Sequence, residues 1–285
     1  MKHKLVLHKD WKTLQYWNNT LCRMLIDSNL FDVDVEDQPL IRFPGTRNGN
    51  FHQMRVNGKM VGCDTWDTTD PLGVYARSGY FKKPDGPAAH LDLIIKIQSL
   101  HNDAHWNKVS SEIGVPIKPW TIFPSSFFPL GFFKWQFKES FKYTCSLTGK
   151  NNRFGRRPWV DWCTTQPDFY TKADYVSTDK LEVFEDVMKN CKWGISLSGR
   201  RGAFKNRREC ELASCGMPIA MNYEPSYAFE FKAGKHFVLL NKPEDLITLR
   251  DIDPRPFAEA ATQIYNDHFS PVGMANHLIK MVSEL

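Results

Sequence analysis

The sequence predicts a two-domain α/β chain, and three observations carry that prediction. The chain opens strand, loop, helix, the usual start of a doubly wound domain. Proline, glycine and aromatic residues then cluster over 125–140, and the alternation restarts beyond them. From Lys142 to the end, short apolar runs alternate with amphipathic ones, which implies a parallel sheet flanked by helices. A chain of 285 residues suits one large domain or two of ordinary size. The boundary is placed to give domains 1–135 and 136–285.

In chain order, "KLVLH" (4–8) is the first strand. Residues 10–29 follow as a helix, with Asp10 suited to cap it and Leu14, Trp17, Leu21 and Leu25 recurring at helical spacing. The "DVDVED" run (32–37) reads as an acidic loop or an edge strand. Asn57-Gly58, between two short segments of 51–64, signals a type I′ hairpin, because both central residues of that turn need positive φ. "LDLIIKIQ" (91–98) is a second buried strand. The aromatic stretch 120–137 is broken by Pro124, Pro129 and Gly131, so it reads as core rather than as a spanning helix.

In the second half, 142–149 is a strand ending at a glycine loop, and Pro158 suits the first turn of the helix that follows. Residues 179–191 form an amphipathic helix and 192–199 a strand. "NRRECELASCG" is a helix closed by Gly216, with Pro218 discouraging its continuation. Strands follow at 217–222 and 236–241. A helix opens at Pro243, and two more close the chain.

Composition narrows the function. Hydrophobic residues make up 42% and charged residues 24%, an ordinary globular balance. The net charge of +5 is mild, and it favours a local anionic ligand over a long polyanion such as nucleic acid. Seven cysteines without a Cys-x-x-Cys suggest reduced, buried thiols, not a disulfide framework or a zinc site. The N-terminal residues carry only a three-residue apolar run and no apolar stretch is long enough for a membrane span, so a soluble, cytoplasmic chain is expected.

The chemistry concentrates at "SGRRGAFKNRRECELASCGMP". Gly199-Arg200-Arg201-Gly202 stands between a predicted strand and a predicted helix. Ligands of parallel α/β domains sit at the carboxyl ends of strands, and a helix start adds unpaired N–H groups. Arginine forks suit phosphate oxygens. The loop is therefore an anion site or a solvated basic loop. Arg208 and Glu211 share a helix face. Glu211 either accepts hydrogen bonds from two hydroxyls, such as those of a ribose, or pairs within the helix with Arg207 or Arg208.

"RRECELASCGMPIAMNY", followed by "AFEFKAGKHFVLLNKPEDL", resembles the C-terminal half of GT-B glycosyltransferases, with their R-x-x-E-x-x-x-x-G-x-P run. The resemblance extends from Lys142 to the end. It is nearest to exostosin-like enzymes and to the compact glycosyltransferases of large DNA viruses, including a xylosyltransferase. It implies two Rossmann-like domains facing a cleft, with a C-terminal helix able to cross back to the N-terminal domain. It implies a nucleotide-sugar donor, UDP-xylose, held in the C-terminal domain, and no cofactor. Glu211 would bind the ribose, and Arg208 with Arg200 or Arg201 the diphosphate. Gly149, Lys150, Arg153 and Arg157 would form a second phosphate loop. Tyr175 and Val176 would lie by the base, and Asn222 to Pro225, with Tyr223, by the sugar. The acceptor would be a glycan or glycoprotein, and a viral enzyme would act in the host cytoplasm.

Inverting transfer needs a base for the acceptor hydroxyl, and in GT-B folds the base usually comes from the N-terminal domain. Asp64, Asp67 and Asp70, with Trp66 among them, follow a predicted strand, and clustered carboxylates raise one another's proton affinity. The same residues also suit an Asp-rich capping turn. His8, ending the first strand, is the other candidate. His52 and His90 read as structural. Asp32-x-Asp34 is not taken for a metal motif, so arginines and a helix end would stabilise the leaving diphosphate. Competing readings are a retaining enzyme using another UDP- or GDP-sugar, a nucleic-acid binder using the basic loops, and an inactive glycan-binding scaffold.

Overall fold

The computed structural model describes residues 2–13, 16–37, 51–64, 89–96, 103–120, 130–148, 155–172, 181–198 and 207–285. The chain has the two-domain, Rossmann-like α/β fold that the alternation implies. Its units are Met1–Ser126 with Ser226–Ala228 and Asp267–Leu285, and Phe127–Pro225 with Phe229–Asn266. The expected division at 135 thus differs in one large respect. The last nineteen or so residues belong with the first unit, as a C-terminal helix crossing back would require.

The first unit holds six described strands: β1 (His3–His8), β2 (Phe31–Glu36), β3 (Phe51–Val56), β4 (Lys59–Asp64), β5 (Leu93–Lys96) and β6 (Ile117–Pro119). Their order is β2-β1-β3-β4-β5-β6. Only β3 runs antiparallel to its neighbours. The reason is local: Asn57 (φ 49°) and Gly58 (φ 84°) make the two-residue turn, and a turn that short reverses the chain. Asn57 also exchanges two 2.9 Å bonds with the backbone of Lys4, one through its N–H and one through its side-chain oxygen, tying the hairpin to β1.

The acidic run is the edge strand β2, with Lys4 paired to Asp34 across 3.1 Å. The expected helix at 10–29 begins later, as α1 (Tyr16–Asp27), behind a short 3₁₀ turn at Trp11–Thr13. The backbone N–H of Asp10 bonds to the His8 ring. α1 buries Leu21, Cys22 and Leu25 and packs beside the C-terminal helix. The helix α2 (Asp103–Ile113) and the strand β6 went unread in the sequence.

The second unit holds β7 (Tyr143–Thr148), β8 (Phe169–Lys172), β9 (Cys191–Ser196), β10 (Ile219–Met221) and β11 (Phe237–Leu239). They form an all-parallel sheet in the order β11-β10-β9-β7-β8. Around it lie α3 (Arg157–Cys163), α4 (Leu181–Lys189), α5 (Arg207–Ser214), α6 (Arg255–Ile264) and a 3₁₀ segment Pro243–Arg250. The chain ends with a π-turn (Tyr265–Phe269) and α7 (Pro271–Ser283). Strand β8 went unread, since "FYTK" is too short for a period to show.

Gly216 ends α5 at φ 67°. Its N–H bonds to Ala213 O and that of Met217 to Leu212 O, the paired closure that a glycine at this position permits. Gly194 in β9 lets α5 sit close, because a Cβ there would stand 2.6 Å from the Leu212 side chain. Trp193 fills the core beneath and donates its indole N–H to Leu249 O at 3.0 Å. Of the described part of the aromatic stretch, Trp120, Phe133 and Trp135 are core, whereas Phe137 is exposed. Trp135 is buried and donates through its ring to Cys191 O and through its backbone to Cys215 O. All seven cysteines are buried and free. Among the described residues, no helix is long and apolar enough to cross a membrane.

Candidate functional site

In the second unit, the chain leaves β7 toward β8 on one side and toward β9 on the other. That reversal of strand order marks the crevice outside the carboxyl ends of β7 and β9, where open α/β sheets bind ligands. Gly149, Lys150 and Arg153 follow β7 in the sequence, and Arg200 and Arg201 follow β9. All five lie outside the described residues, as do Tyr175 and Val176.

The described side chains at this edge come from α5 and from the exits of β9 and β10. Asn222, just past β10, accepts the backbone N–H of Ser198, just past β9, at 2.6 Å. Glu211 is buried on α5, and Arg208 reaches it at 3.3 Å across one helical turn. The Arg208 guanidinium also lies over the Phe184 ring, 5.1 Å from its centroid. Of the two sequence readings for Glu211, the structure contains the intrahelical pair. A buried carboxylate needs such a partner to offset its lost hydration. Arg157, expected beside a phosphate, is turned along its own helix instead, where its Nε meets both Asp161 oxygens at 2.7 and 2.8 Å.

Tyr223 is brought to α5, as a strand-exit residue should be, but its partner there is one the sequence reading missed. Its hydroxyl bonds to Oε1 of Glu209 and lies 3.3 Å from Oγ of Ser196. Glu209 and Glu211 stand two apart on the helix, so they project to different sides. One faces Tyr223 and the other Arg208. The available signal was the second glutamate in a short helix whose other inward positions are Cys210, Leu212 and Ala213.

In the first unit, the buried polar side chains of the described strands come from β1, β3, β4 and β5. These are His8, His52, Gln53, Asp64 and Lys96. Asp64 and Lys96 are register partners on β4 and β5, and Lys96 Nζ sits 3.2 Å from Asp64 Oδ1 with both side chains almost wholly buried. Lys96 was also missed, although a lysine inside the apolar run "LIIKI" is itself a signal for a buried partner.

His8, a candidate base, accepts the Asp10 backbone N–H at Nδ1 over 3.0 Å. A backbone N–H only donates, so Nδ1 is the acceptor in this contact. Carboxylates stand near both ring nitrogens, Asp10 Oδ2 at 3.8 Å from Nδ1 and Asp37 Oδ1 at 4.0 Å from Nε2. His52, expected to be structural, is buried. Burial, and then the charge of nearby His8, push its imidazole down to about 3, and its Nε2 lies 3.5 Å from Cys22 Sγ. Asp67, Asp70 and Trp66 lie outside the described residues.

No family model and no curated protein matches the chain. Solved structures do. The structure of TarM is 10% identical, with a TM-score of 0.43 over 68% of this chain and 44% of that one. That of Anabaena HepE in complex with UDP-glucose is 12% identical, with a TM-score of 0.46 over 76% of this chain and 68% of that one. The pneumococcal O-GlcNAc transferase GtfA, in complex with UDP and GlcNAc, is 11% identical, with a TM-score of 0.43 over 74% of this chain and 47% of that one. The chain therefore spans less than half the length of TarM and of GtfA.

Proposed function

We propose that the chain is a GT-B glycosyltransferase. It transfers a sugar, xylose from UDP-xylose, to a hydroxyl of a glycan or glycoprotein, with inversion and without a metal ion. One observation carries the reading. The R-x-x-E-x-x-x-x-G-x-P run folds as a strand-exit helix beside the reversal of strand order, and its glutamate is buried there with an arginine one turn away. A glutamate so placed suits two vicinal hydroxyls of a ribose once the arginine turns toward the diphosphate.

In the proposed reaction, the acceptor oxygen attacks the anomeric carbon as its proton passes to a base. The bond from that carbon to the diphosphate oxygen breaks. The leaving charge is met by arginines and lysines of the segments after β7 and β9, which act where the charge develops. Asp64, Asp67, Asp70 and His8 are the candidate bases.

Thermal shift against UDP, GDP, CMP and dTDP tests the reading, since a ligand that binds only the folded chain raises its melting temperature. UDP is expected to raise it, and Glu211→Ala to abolish the rise. Indifference of the wild-type chain to every nucleotide, together with salt-sensitive binding to oligonucleotides, would replace this function with nucleic-acid binding.

A further inference from the structure

A cleft of about 440 Å³ opens at the amino edge of the second sheet. Its walls come from the starts of β7 and β9, from Asp168 just ahead of β8, and from the segment that joins the 3₁₀ turn at Pro243–Arg250 to α6. The sheet is all parallel, so this edge lies at the other end of the strands from the crevice after β7 and β9. Both strands are six residues long, which puts roughly 20 Å between the two edges.

The lining is balanced in charge, with four cationic side chains and four carboxylates. A wall so balanced selects neither an anion nor a cation. Its planar groups are held in place by each other. Arg250 meets Asp168 through Nε at 2.9 Å and Nη2 at 2.5 Å, and Arg255 meets Asp253 through Nε at 3.0 Å and Nη2 at 2.8 Å. Lys192 Nζ donates one hydrogen to Arg250 O at 2.6 Å. Among the described residues, its other two N–H groups and Nη1 of Arg250 meet no acceptor. Donors and carboxylates thus line one cleft, and a hydroxyl is the group that serves both, since it donates and accepts.

One wall is aromatic. Phe141 meets Phe137 edge to face at 6.2 Å, and the Arg255 guanidinium lies 4.9 Å from the Phe137 centroid. Although it is held by both, Phe137 is 45% exposed. The face of such a ring is electron-rich and attracts C–H groups. A pyranose presents a C–H face and a rim of hydroxyls, which matches an aromatic platform beside a charge-balanced polar wall.

We propose that this cleft is a glycan-binding site separate from the donor crevice. A neutral oligosaccharide stacks on Phe137, and its hydroxyls bond to Lys192 and to the arginine–aspartate pairs. No nucleotide takes part, so the proposal does not rest on the donor-site reading.

Calorimetric titration of the full chain, without nucleotide, tests it. The neutral probes are xylohexaose, cellohexaose and mannohexaose, and the anionic one is a sulfated heparin hexasaccharide. A neutral probe is expected to bind, and more tightly than the anionic one. Phe137→Ala should weaken that binding about fivefold or more, as truncation of a central aromatic contact does. Lys192→Met should weaken it about three- to tenfold, the worth of one hydrogen bond. Ile247→Ala removes another exposed apolar side chain, outside the cleft, and should leave binding unchanged. If Lys192→Met does not fold, Phe137→Ala, at an exposed position, still decides the matter. Binding of no neutral probe, or binding that Phe137→Ala leaves intact or that Ile247→Ala weakens equally, overturns the proposal. Tighter binding of the sulfated probe overturns its neutral ligand. A chain that binds a neutral probe in this way but no nucleotide would lose the donor site and keep this one.

Discussion

The two units pair their buried acids in different ways. In the first unit, the buried acid has an equally buried partner. Asp64 meets Lys96, and the lone pair of His8 Nδ1 is taken by a backbone N–H. In the second unit, Glu209 is equally buried, but its partner Tyr223 stays partly exposed. Burying an acid therefore does not by itself bury the group that satisfies it.

The largest way to break this comparison is in the closed pair. Lys96→Met removes the buried cation beside the Asp64 carboxylate and should cost about 3–5 kcal/mol, whereas the double variant Asp64→Leu with Lys96→Met should return to wild-type stability or exceed it. Urea denaturation reads both. A double variant as unstable as the single one would show that the pair holds the sheet together.

Packing gives the next effect, again with a contrast between units. A Cβ on Gly273 would stand 2.7 Å from the backbone oxygen of Asp267, which cannot yield without moving the turn before α7. A Cβ on Gly194 would meet only the end of the Leu212 side chain. Both alanine variants should lose stability, in the range of about 1–3 kcal/mol. Gly273→Ala should lose more, and a reversed order in thermal denaturation would mean that α5 is the less yielding element.

The smallest effect is a pH dependence at the opposite edge of the second sheet. Burial pushes the Asp168 carboxyl up, but hydrogen bonds from Arg250 and Thr144 outweigh it and hold the group below its usual range. The stabilisation is therefore present above the unfolded value, and it is lost as pH falls through the lowered folded one. The pair is about a third exposed, so solvent screening keeps the contribution under about 1 kcal/mol. Asp168→Asn should flatten the loss of urea midpoint between neutral pH and pH ~3. An unchanged slope would assign the acid sensitivity elsewhere.

What was legible in the sequence was local. The Asn57-Gly58 turn, Pro158 in the first turn of α3, the Gly216 closure of α5 and the strand–helix alternation all follow from dihedral preferences of neighbouring residues. At the candidate site, Glu211 was singled out by its spacing from Arg208 and Gly216, and Tyr223 by the family resemblance. Glu209 and Lys96 were not, since a charge inside an apolar run has meaning only once its partner is known.

The tertiary structure alone decided those partners. Glu209 and Tyr223 are 14 residues apart, and Asp64 and Lys96 meet only because β4 and β5 pair in one register. It also decided that strand order reverses between β7 and β9, and that residues 267–285 join the first unit. Turns and caps are set by steric limits within a few residues. Strand order, register and buried pairing depend on which distant surfaces exclude water together, and no single segment of the sequence carries that information.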